Sequence, residues 1–167
     1  MSVSMYDASV PQYNRALKAL KGILEKAEAH ATAKKIDANA LLLARLYPDM
    51  FHTIAQVQTA TNMVHWGCAL LVGLERPQLP STEATFADLQ TRIANTVEYV
   101  KGFGPDRING TEAKAVQLKF PGRTMDFTGQ SFLFEFILPN VYFHTAMTYA
   151  VLRHNGVEVG KGDFLAR

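Results

Sequence analysis

The spacing of apolar residues predicts four long helices. In the first, over residues 10–31, apolar positions recur at alternating steps of three and four, which places them on one helical face. Ser9 precedes Pro11 and is expected to cap this helix. The second helix is predicted over residues 48–72 and ends at Gly73, which suits the left-handed conformation after a helix. Its apolar seam runs through Met50, Ile54, Val57, Thr61, Val64, Cys68 and Leu71.

The second helix also carries large apolar residues away from this seam, at Met63, Trp66 and Leu70. A helix that is apolar on two faces either lies at the centre of its domain or packs against a second subunit. We expect the second helix both to lie centrally in its domain and to contact a second subunit, and we therefore predict a homodimer. An alternative contact surface lies on the last long helix, at Glu135, Tyr142, Tyr149 and Arg153.

The third and fourth long helices are marked by their ends. Residues 85–88, Thr-Phe-Ala-Asp, have the pattern of a capping box, in which the threonine and aspartate side chains accept from backbone N–H groups. The fourth helix is predicted to start near Thr128 and to reach Asn155, with Gly156 as its stop. Pro139 lies inside it and lacks a backbone donor, so we expect a kink or a helix restart there.

Shorter elements are predicted between these helices. Asp37 is placed to cap a short helix that includes residues 41–43. Two runs of residues with β propensity, 116–120 and 124–127, flank a Pro-Gly-Arg turn and indicate a small hairpin or extended excursion before the fourth helix. Four helices of this length close one core as a bundle, so we predict a single all-α domain over residues 1–167.

Composition and charge exclude several functional classes. Basic and acidic residues number 17 and 15 and are spread along the chain, without the concentrated positive charge of a nucleic-acid-binding or membrane-binding surface. No apolar run approaches the roughly 18 residues of a membrane span, and the N-terminal residues lack the pattern of a secretory signal. The single cysteine, Cys68, excludes an internal disulfide and suits a reducing compartment. We therefore expect a cytoplasmic protein.

The five histidines do not have the spacing of a helical metal site. Such a site needs two ligands three or four residues apart on one face, and no two histidines here are so spaced. The periodicity turns His144 into the bundle, with Asn140 and Thr148 one turn to either side. The second helix carries a comparable polar edge at Gln58, Asn62 and His65.

These two polar edges lead to alternative interpretations. If they face each other, they form a small polar pocket with two titratable rings, centred on Asn140 and His144, whose expected occupant is a small-molecule ligand. Alternatively, the same groups satisfy one another and a water molecule in a buried hydrogen-bond network. Both interpretations require His144 to turn inward, toward the second helix.

Five segments spread over nearly the whole chain carry a family resemblance: Tyr-Asp-Ala-Ser-Val-Pro at 6–11, Lys-Ala-Glu-Ala-His-Ala at 26–31, Pro-Asp-Met-Phe at 48–51, Pro-Asn-Val-Tyr-Phe-His at 139–144 and Leu-Arg-His-Asn-Gly-Val-Glu at 152–158. They resemble an uncharacterised bacterial family, a domain of unknown function, within the DinB-like superfamily. That superfamily also contains thiol-dependent transferases and the mycothiol-dependent maleylpyruvate isomerase. The resemblance implies an up-up-down-down four-helix bundle, often dimeric.

The resemblance also implies a place for a divalent metal. Metal-binding DinB-like proteins carry one histidine on the second helix and a His-x-x-x-His pair on the last. The matching pair here is Asn140 and His144, and residues 53–58 of the second helix contain no histidine. Because amide oxygens are poor ligands for zinc or nickel, we predict a degenerate metal site. The resemblance leaves a divalent metal open, with an incomplete set of ligands, and no other cofactor is predicted. The alternative is a metal- or thiol-dependent transferase or hydrolase in which His52 joins His65 and His144.

Overall fold

A computed structural model describes residues 3–167 as a helical bundle with a small β-hairpin. The elements are α1 (Met5–Lys34), α2 (Ala38–Leu42), α3 (Thr53–Val72), α4 (Phe86–Val100), α5 (Pro105–Ile108), β1 (Ala115–Phe120), β2 (Arg123–Thr128), α6 (Gly129–Ser131), a π-helical segment (Phe132–Ile137), α7 (Leu138–His154) and α8 (Lys161–Phe164). The four long helices α1, α3, α4 and α7 correspond to the four predicted ones. None of the helices in the part of the chain described here has the length and apolar character needed to cross a membrane.

Each long helix packs against two main neighbours. Both α1 and α3 contact α4 and α7, so the order around the bundle is α1, α4, α3, α7. Apolar side chains such as Leu17, Leu20, Leu24 and Ile93 are fully buried between them, and burial of each such side chain contributes about 1.5–3 kcal/mol. The arrangement gives α3 one interface with α4 and another with α7, and its polar residues are divided between the two.

The first helix begins earlier than predicted. Ser4, not Ser9, is its N-cap, because the Ser4 hydroxyl accepts a hydrogen bond from the Asp7 N–H. Ser9 lies inside the helix, where its buried hydroxyl donates to the Met5 carbonyl at 2.7 Å. The prediction for Ser9 was wrong because Pro11, the residue that suggested it, is tolerated in the second turn of α1.

The second long helix, α3, begins later than predicted. It starts at Thr53 because the ring of His52 caps it, with Nδ1 accepting from the Ala55 N–H at 3.2 Å. The Thr53 hydroxyl donates to the Leu41 carbonyl and joins this end of α3 to α2. Met50 therefore lies outside the helix and is not part of its apolar seam.

Other predicted elements are confirmed. Asp37 caps α2, and Thr85 and Asp88 form a capping box at the start of α4. The hairpin pairs β1 with β2 in antiparallel register. Its Val116 and Leu118 side chains reach the core, so the hairpin is part of the same folded unit as the bundle.

The fourth predicted helix consists of three consecutive parts. The helical region starts at Thr128, as predicted, and the Thr128 side chain caps α6. The chain then widens into the π-helical segment. The α-helical pattern resumes in α7, with Pro139 in its first turn. The backbone stays right-handed helical through Ile137 and Leu138, so the predicted irregularity at Pro139 takes the form of a change from π-helical to α-helical hydrogen bonding. At this junction the Asn140 side-chain amide donates to the Phe136 carbonyl at 2.7 Å.

The C-terminal residues lie along α1. Val157 and Val159 are buried, and Asp163 of α8 pairs with Lys26 of α1 at 2.7 Å. The Lys18 ammonium donates to the Ala166 carbonyl at 3.2 Å. These contacts fix the last turn of the chain against its first helix.

Candidate functional site

The six candidate residues lie on two sides of α3, and the predicted single pocket is not formed. Gln58, Asn62 and His65 contact residues of α4 or of the segment before it, whereas His144 of α7 contacts Gln56. The reason is geometric: at about 100° per residue, positions 58, 62 and 65 all lie on the half of α3 opposite Gln56. The two polar edges therefore belong to two separate sites.

The first, which we call the His144 site, lies between α3 and α7. As the periodicity predicts, the His144 ring points inward and is only 8% exposed. Its Nδ1 lies 2.7 Å from Oε1 of Gln56, and the amide nitrogen of Gln56 donates to the Phe51 carbonyl at 3.1 Å. Because a carbonyl oxygen only accepts, Nδ1 of His144 must carry the hydrogen, which leaves Nε2 with its lone pair.

Nε2 of His144 is available to a ligand. Within residues 3–167 it has no hydrogen-bond partner. It is also not one of the fully buried atoms that lack a partner, so a ligand can reach it. The Phe51 ring stacks on the imidazole at 6.2 Å between centroids, and the Phe143 ring meets it edge-on at 5.2 Å. Both phenyl rings are about half exposed, at 50% and 51%. The site therefore combines one acceptor nitrogen with two exposed aromatic walls.

The two neighbours of His144 on α7 are tied to the helix backbone. Asn140 uses its amide nitrogen to hold the Phe136 carbonyl, so only its side-chain oxygen is free to meet a ligand. Thr148 donates to the backbone carbonyl of His144 at 2.9 Å. Asn140 is partly exposed beside the site, whereas Thr148 is fully buried and supports the helix.

The donors at the His144 site do not fit a resident transition metal. Gln56 uses its side-chain oxygen to accept from His144, and Asn140 retains one amide oxygen. The set is thus a single imidazole nitrogen and one neutral oxygen, whereas zinc sites use three or four nitrogen, sulfur or carboxylate ligands. No group of three or more histidine, cysteine, aspartate or glutamate side chains suited to a metal occurs among residues 3–167.

The alternative grouping of three histidines is not formed either. His52 caps α3, His65 contacts α4 and His144 contacts Gln56 on the other side of α3. The one thiol is also unsuited to nucleophilic chemistry, because burial raises the pKa of Cys68 to about 12 and keeps it protonated at neutral pH.

The second site is organised by Arg92 of α4, whose side chain is 6% exposed. Its Nε donates to the Thr61 hydroxyl at 2.7 Å. Nη1 donates to the Pro80 carbonyl and to Oε1 of Glu83, at 2.8 and 2.6 Å, and Nη2 donates to Oδ1 of Asn62 at 2.7 Å. Four of the five guanidinium N–H groups are thus paired, and Glu83 balances the charge.

Gln58 completes this cluster by donating to Oε2 of Glu83 at 2.7 Å. Burial alone raises the pKa of Glu83, but hydrogen bonds from Arg92 and Gln58 outweigh it and hold the pKa below its usual value. The candidates Gln58 and Asn62 therefore support an ion pair. Arg92 itself was missed by sequence reasoning, although a charged residue on the seam between Leu89 and Thr96 is a signal that a buried counter-ion is needed.

His65 has the opposite tautomer from His144. Its Nε2 lies 3.3 Å from the Thr96 hydroxyl, and that hydroxyl donates its own hydrogen to the Arg92 carbonyl at 2.8 Å. Nε2 must therefore be the donor, which leaves Nδ1 as an acceptor. Nδ1 is buried without a partner among the described residues, and the ring, 6% exposed, stacks on Tyr99 with 4.1 Å between centroids.

His65 lines a cavity of about 310 Å³ that is open to solvent, which we call the His65 cavity. It lies between α4, the segment before it and α3. Eight of its ten lining residues are polar or charged; the lining consists of His65, Leu79, Pro80, Thr82, Glu83, Asp88, Thr91, Arg92, Asn95 and Thr96.

Acid is expected to destabilise the protein through both buried histidines. Burial lowers the pKa of His144 from 6.5 to about 4; burial, followed by the charge of Arg92, does the same for His65. As the pH falls, these histidines therefore take up protons in the unfolded state before they do so in the folded state. The stability that is present above about pH 6.5 is lost as the pH falls toward 4. Full linkage over this interval corresponds to about 3 kcal/mol for each ring, and partial contact of the rings with solvent reduces the expected loss of unfolding free energy to roughly 1–2 kcal/mol.

Urea denaturation at neutral pH and near pH 4.5 tests this dependence. His144→Phe and His65→Phe should each remove part of the acid-induced loss, whereas replacement of the exposed His154 should remove none. A pH dependence that is the same in all three variants would contradict the assignment.

Comparisons with known proteins agree with this fold. Residues 5–165 match the family model described as Domain of unknown function (DUF1993). A solved structure described as a DinB family member protein from Shewanella denitrificans is similar at 41% sequence identity and a TM-score of 0.85, covering 96% of this chain and 90% of that one. No curated protein matches the chain. The chain therefore belongs to the DUF1993 family and has the DinB-like fold.

Proposed function

We propose that the protein binds a small ligand at the His144 site and that Nε2 of His144 accepts a hydrogen bond from it. The observation that carries this proposal is the hydrogen bond from His144 to Gln56, since it fixes the hydrogen on Nδ1 and leaves the acceptor on Nε2. The amide of Gln56 is itself held by the Phe51 carbonyl. This support keeps the acceptor in one orientation before any ligand arrives, which lowers the entropic cost of binding.

The chemistry of the site favours binding over proton abstraction. A general base works best when its pKa lies near the operating pH, but the pKa of His144 is about 4. The ring is therefore neutral at physiological pH and a weak base. The half-exposed Phe51 and Phe143 rings supply apolar and aromatic contact area, so a planar ligand with one N–H or O–H donor suits the site.

A fragment screen on the whole protein tests this proposal. Planar heterocycles that carry an N–H donor, such as indole and benzimidazole, are compared with their N-methylated counterparts by calorimetry and by protein NMR. We expect the donor to bind more tightly than its methylated counterpart. His144→Phe, which keeps an aromatic ring but removes Nε2, should weaken binding of the donor about tenfold.

Two further variants separate the effect of the His144 tautomer on binding from general effects on packing. Gln56→Met removes the oxygen that holds Nδ1–H and should weaken the same ligands several-fold, while leaving the ring in place. His154→Phe, at an exposed position, should have no effect. Equal binding of donor and methylated fragments, or binding that survives His144→Phe, would refute the proposal.

Other expectations stay proposals. We propose a cytoplasmic homodimer, which sedimentation over a range of protein concentrations and cell fractionation would test. The suggested contact residue Met63 is buried, whereas Trp66 and Leu70 are half-buried, and Trp66 is already covered in part by Arg76 and Phe120. The alternative, a transferase or hydrolase, would need a metal-binding group or nucleophile beyond the donors of the His144 site.

A further inference from the structure

We infer that a cavity between α1, α7 and the C-terminal residues binds a small monocarboxylate that has an apolar body. The guanidinium of Arg15 and the hydroxyl of Tyr142 hold the carboxylate, and the side chains of Phe164 and Leu165 cover the apolar part. This cavity, which we call the Arg15 cavity, has a volume of about 410 Å³. It is separate from the His144 site, because Tyr142 lies two residues before His144 and therefore points to the other side of α7, toward α1.

The first support is the charge of the cavity wall. Arg15 is the one charged side chain among the described residues that line the cavity, and none of the ion pairs in that part of the chain includes it. Arg15 is exposed, so an anion can reach it. Lys18, one turn along α1, adds a second positive charge nearby and donates to the Ala166 carbonyl. The wall therefore attracts an anion, and the planar guanidinium matches a carboxylate in shape.

The second support is the hydroxyl group of Tyr142. Within residues 3–167 its oxygen has no hydrogen-bond partner, and it is not one of the fully buried atoms that lack a partner. Burial raises the pKa of Tyr142 and the charge of Arg15 opposes that rise, so the guanidinium and the phenol lie near each other. The hydroxyl is therefore protonated at neutral pH and can donate. A carboxylate placed between the two side chains accepts from both.

The third support is the apolar part of the wall. Ala16 is buried, and Phe164 and Leu165 are half-buried, where they line the cavity. The residue before Phe164 is Asp163, which pairs with Lys26 of α1 at 2.7 Å. This contact holds the apolar side chains in place before a ligand arrives, which lowers the entropic cost of binding. The volume lies at the lower end of ligand-binding cavities and therefore suits one ring or a short alkyl chain.

Matched pairs of small molecules test the inference on the intact protein. Benzoate and hexanoate are compared at neutral pH with benzamide and hexanamide, which keep the shape without the charge, and with acetate, which keeps the charge without the apolar body. Protein NMR follows the ring resonances of Tyr142 and Phe164, and calorimetry gives the affinities. At low salt we expect at least one acid to bind about fivefold more tightly than its amide. This difference should shrink as salt screens the exposed guanidinium, and acetate should bind more weakly than either larger acid.

Two variants change the two polar contacts separately. Arg15→Gln removes the charge and should make each acid bind no better than its amide. Tyr142→Phe keeps the ring and removes the hydroxyl, so binding of the acids should weaken about fivefold. Arg153→Gln is the matched control, because it removes the same charge from an exposed position that does not line the cavity, and it should leave binding unchanged. His144→Phe should also leave it unchanged, since the His144 site lies on the other side of α7.

Other outcomes would overturn the inference. If no acid shifts the resonances of Tyr142 and Phe164, the cavity is not a carboxylate site. If the amides bind as tightly as the acids at low salt, the charge of Arg15 does not select the ligand. An equal loss in Arg15→Gln and Arg153→Gln would mean that the acids respond only to the overall charge of the protein. Loss of binding in His144→Phe but not in Arg15→Gln would place the acid at the His144 site instead.

Discussion

Replacing Gly129 with alanine is expected to lower the free energy of unfolding by about 3 kcal/mol or more. A Cβ at this position would lie 2.0 Å from the backbone carbonyl oxygen of Thr111. The next residue, Gln130, donates its N–H to the Glu112 carbonyl at 2.9 Å, so the two segments are held together and cannot separate without losing that bond. Urea denaturation followed by circular dichroism measures the change.

Gly22→Ala is the matched control. Gly22 lies in the middle of α1, and no atom lies within 4 Å of the Cβ it would acquire. Alanine is the better helix former by about 1 kcal/mol, so this variant should be more stable than the wild type. If both glycine variants changed stability equally, the close approach of α6 to Thr111 would not be what makes Gly129 necessary.

Removing the charge of Glu83 is expected to cost about 3–5 kcal/mol of unfolding free energy. Its ion pair with Arg92 joins side chains that are 11% and 6% exposed, so Glu83→Gln leaves a buried guanidinium without an anion. The remaining partners of Arg92 are the neutral oxygens of Thr61, Asn62 and Pro80, which cannot replace a carboxylate charge. Thermal and urea denaturation at neutral pH measure the loss.

Glu98→Gln provides the control, since it breaks an ion pair of similar length, 2.6 Å to Lys101, on the surface. Exposed pairs contribute at most about 1 kcal/mol. The double variant Glu83→Gln with Arg92→Met should recover part of the stability, because it removes the unpaired charge as well. A loss for Glu83→Gln no larger than that for Glu98→Gln would show that the Arg92 cluster is accessible to water.

The bundle could be predicted from sequence because its signals are local. The apolar spacing in α1, the capping box at Thr85 and Asp88 and the left-handed stop at Gly73 each depend on residues within a few turns of one another. The inward direction of His144 follows from the same periodicity. These features do not depend on which helices pack against one another.

The partners of the polar residues depend on the order of the helices around the bundle, which periodicity does not contain. That order places Gln56 against His144, and Gln58 against Glu83. The division of the candidates into two sites could therefore not be read from the sequence. The π-helical segment Phe132–Ile137 was also missed, since bonds between residues five apart leave no 3.6-residue period to detect.

The way in which the C-terminal residues lie along α1 has a consequence for folding. Of the helices described here, α1 is synthesised before the others, yet its most extensive contacts are with α4, α7 and α8, which follow much later in the chain. Its closing contact, from Lys18 to Ala166, spans 148 positions. Contacts of such high sequence separation slow folding compared with a bundle of sequential neighbours. During synthesis the apolar stripe of α1 lacks most of its partners until α4 and α7 have been made, and in that period association with other chains competes with completion of the bundle.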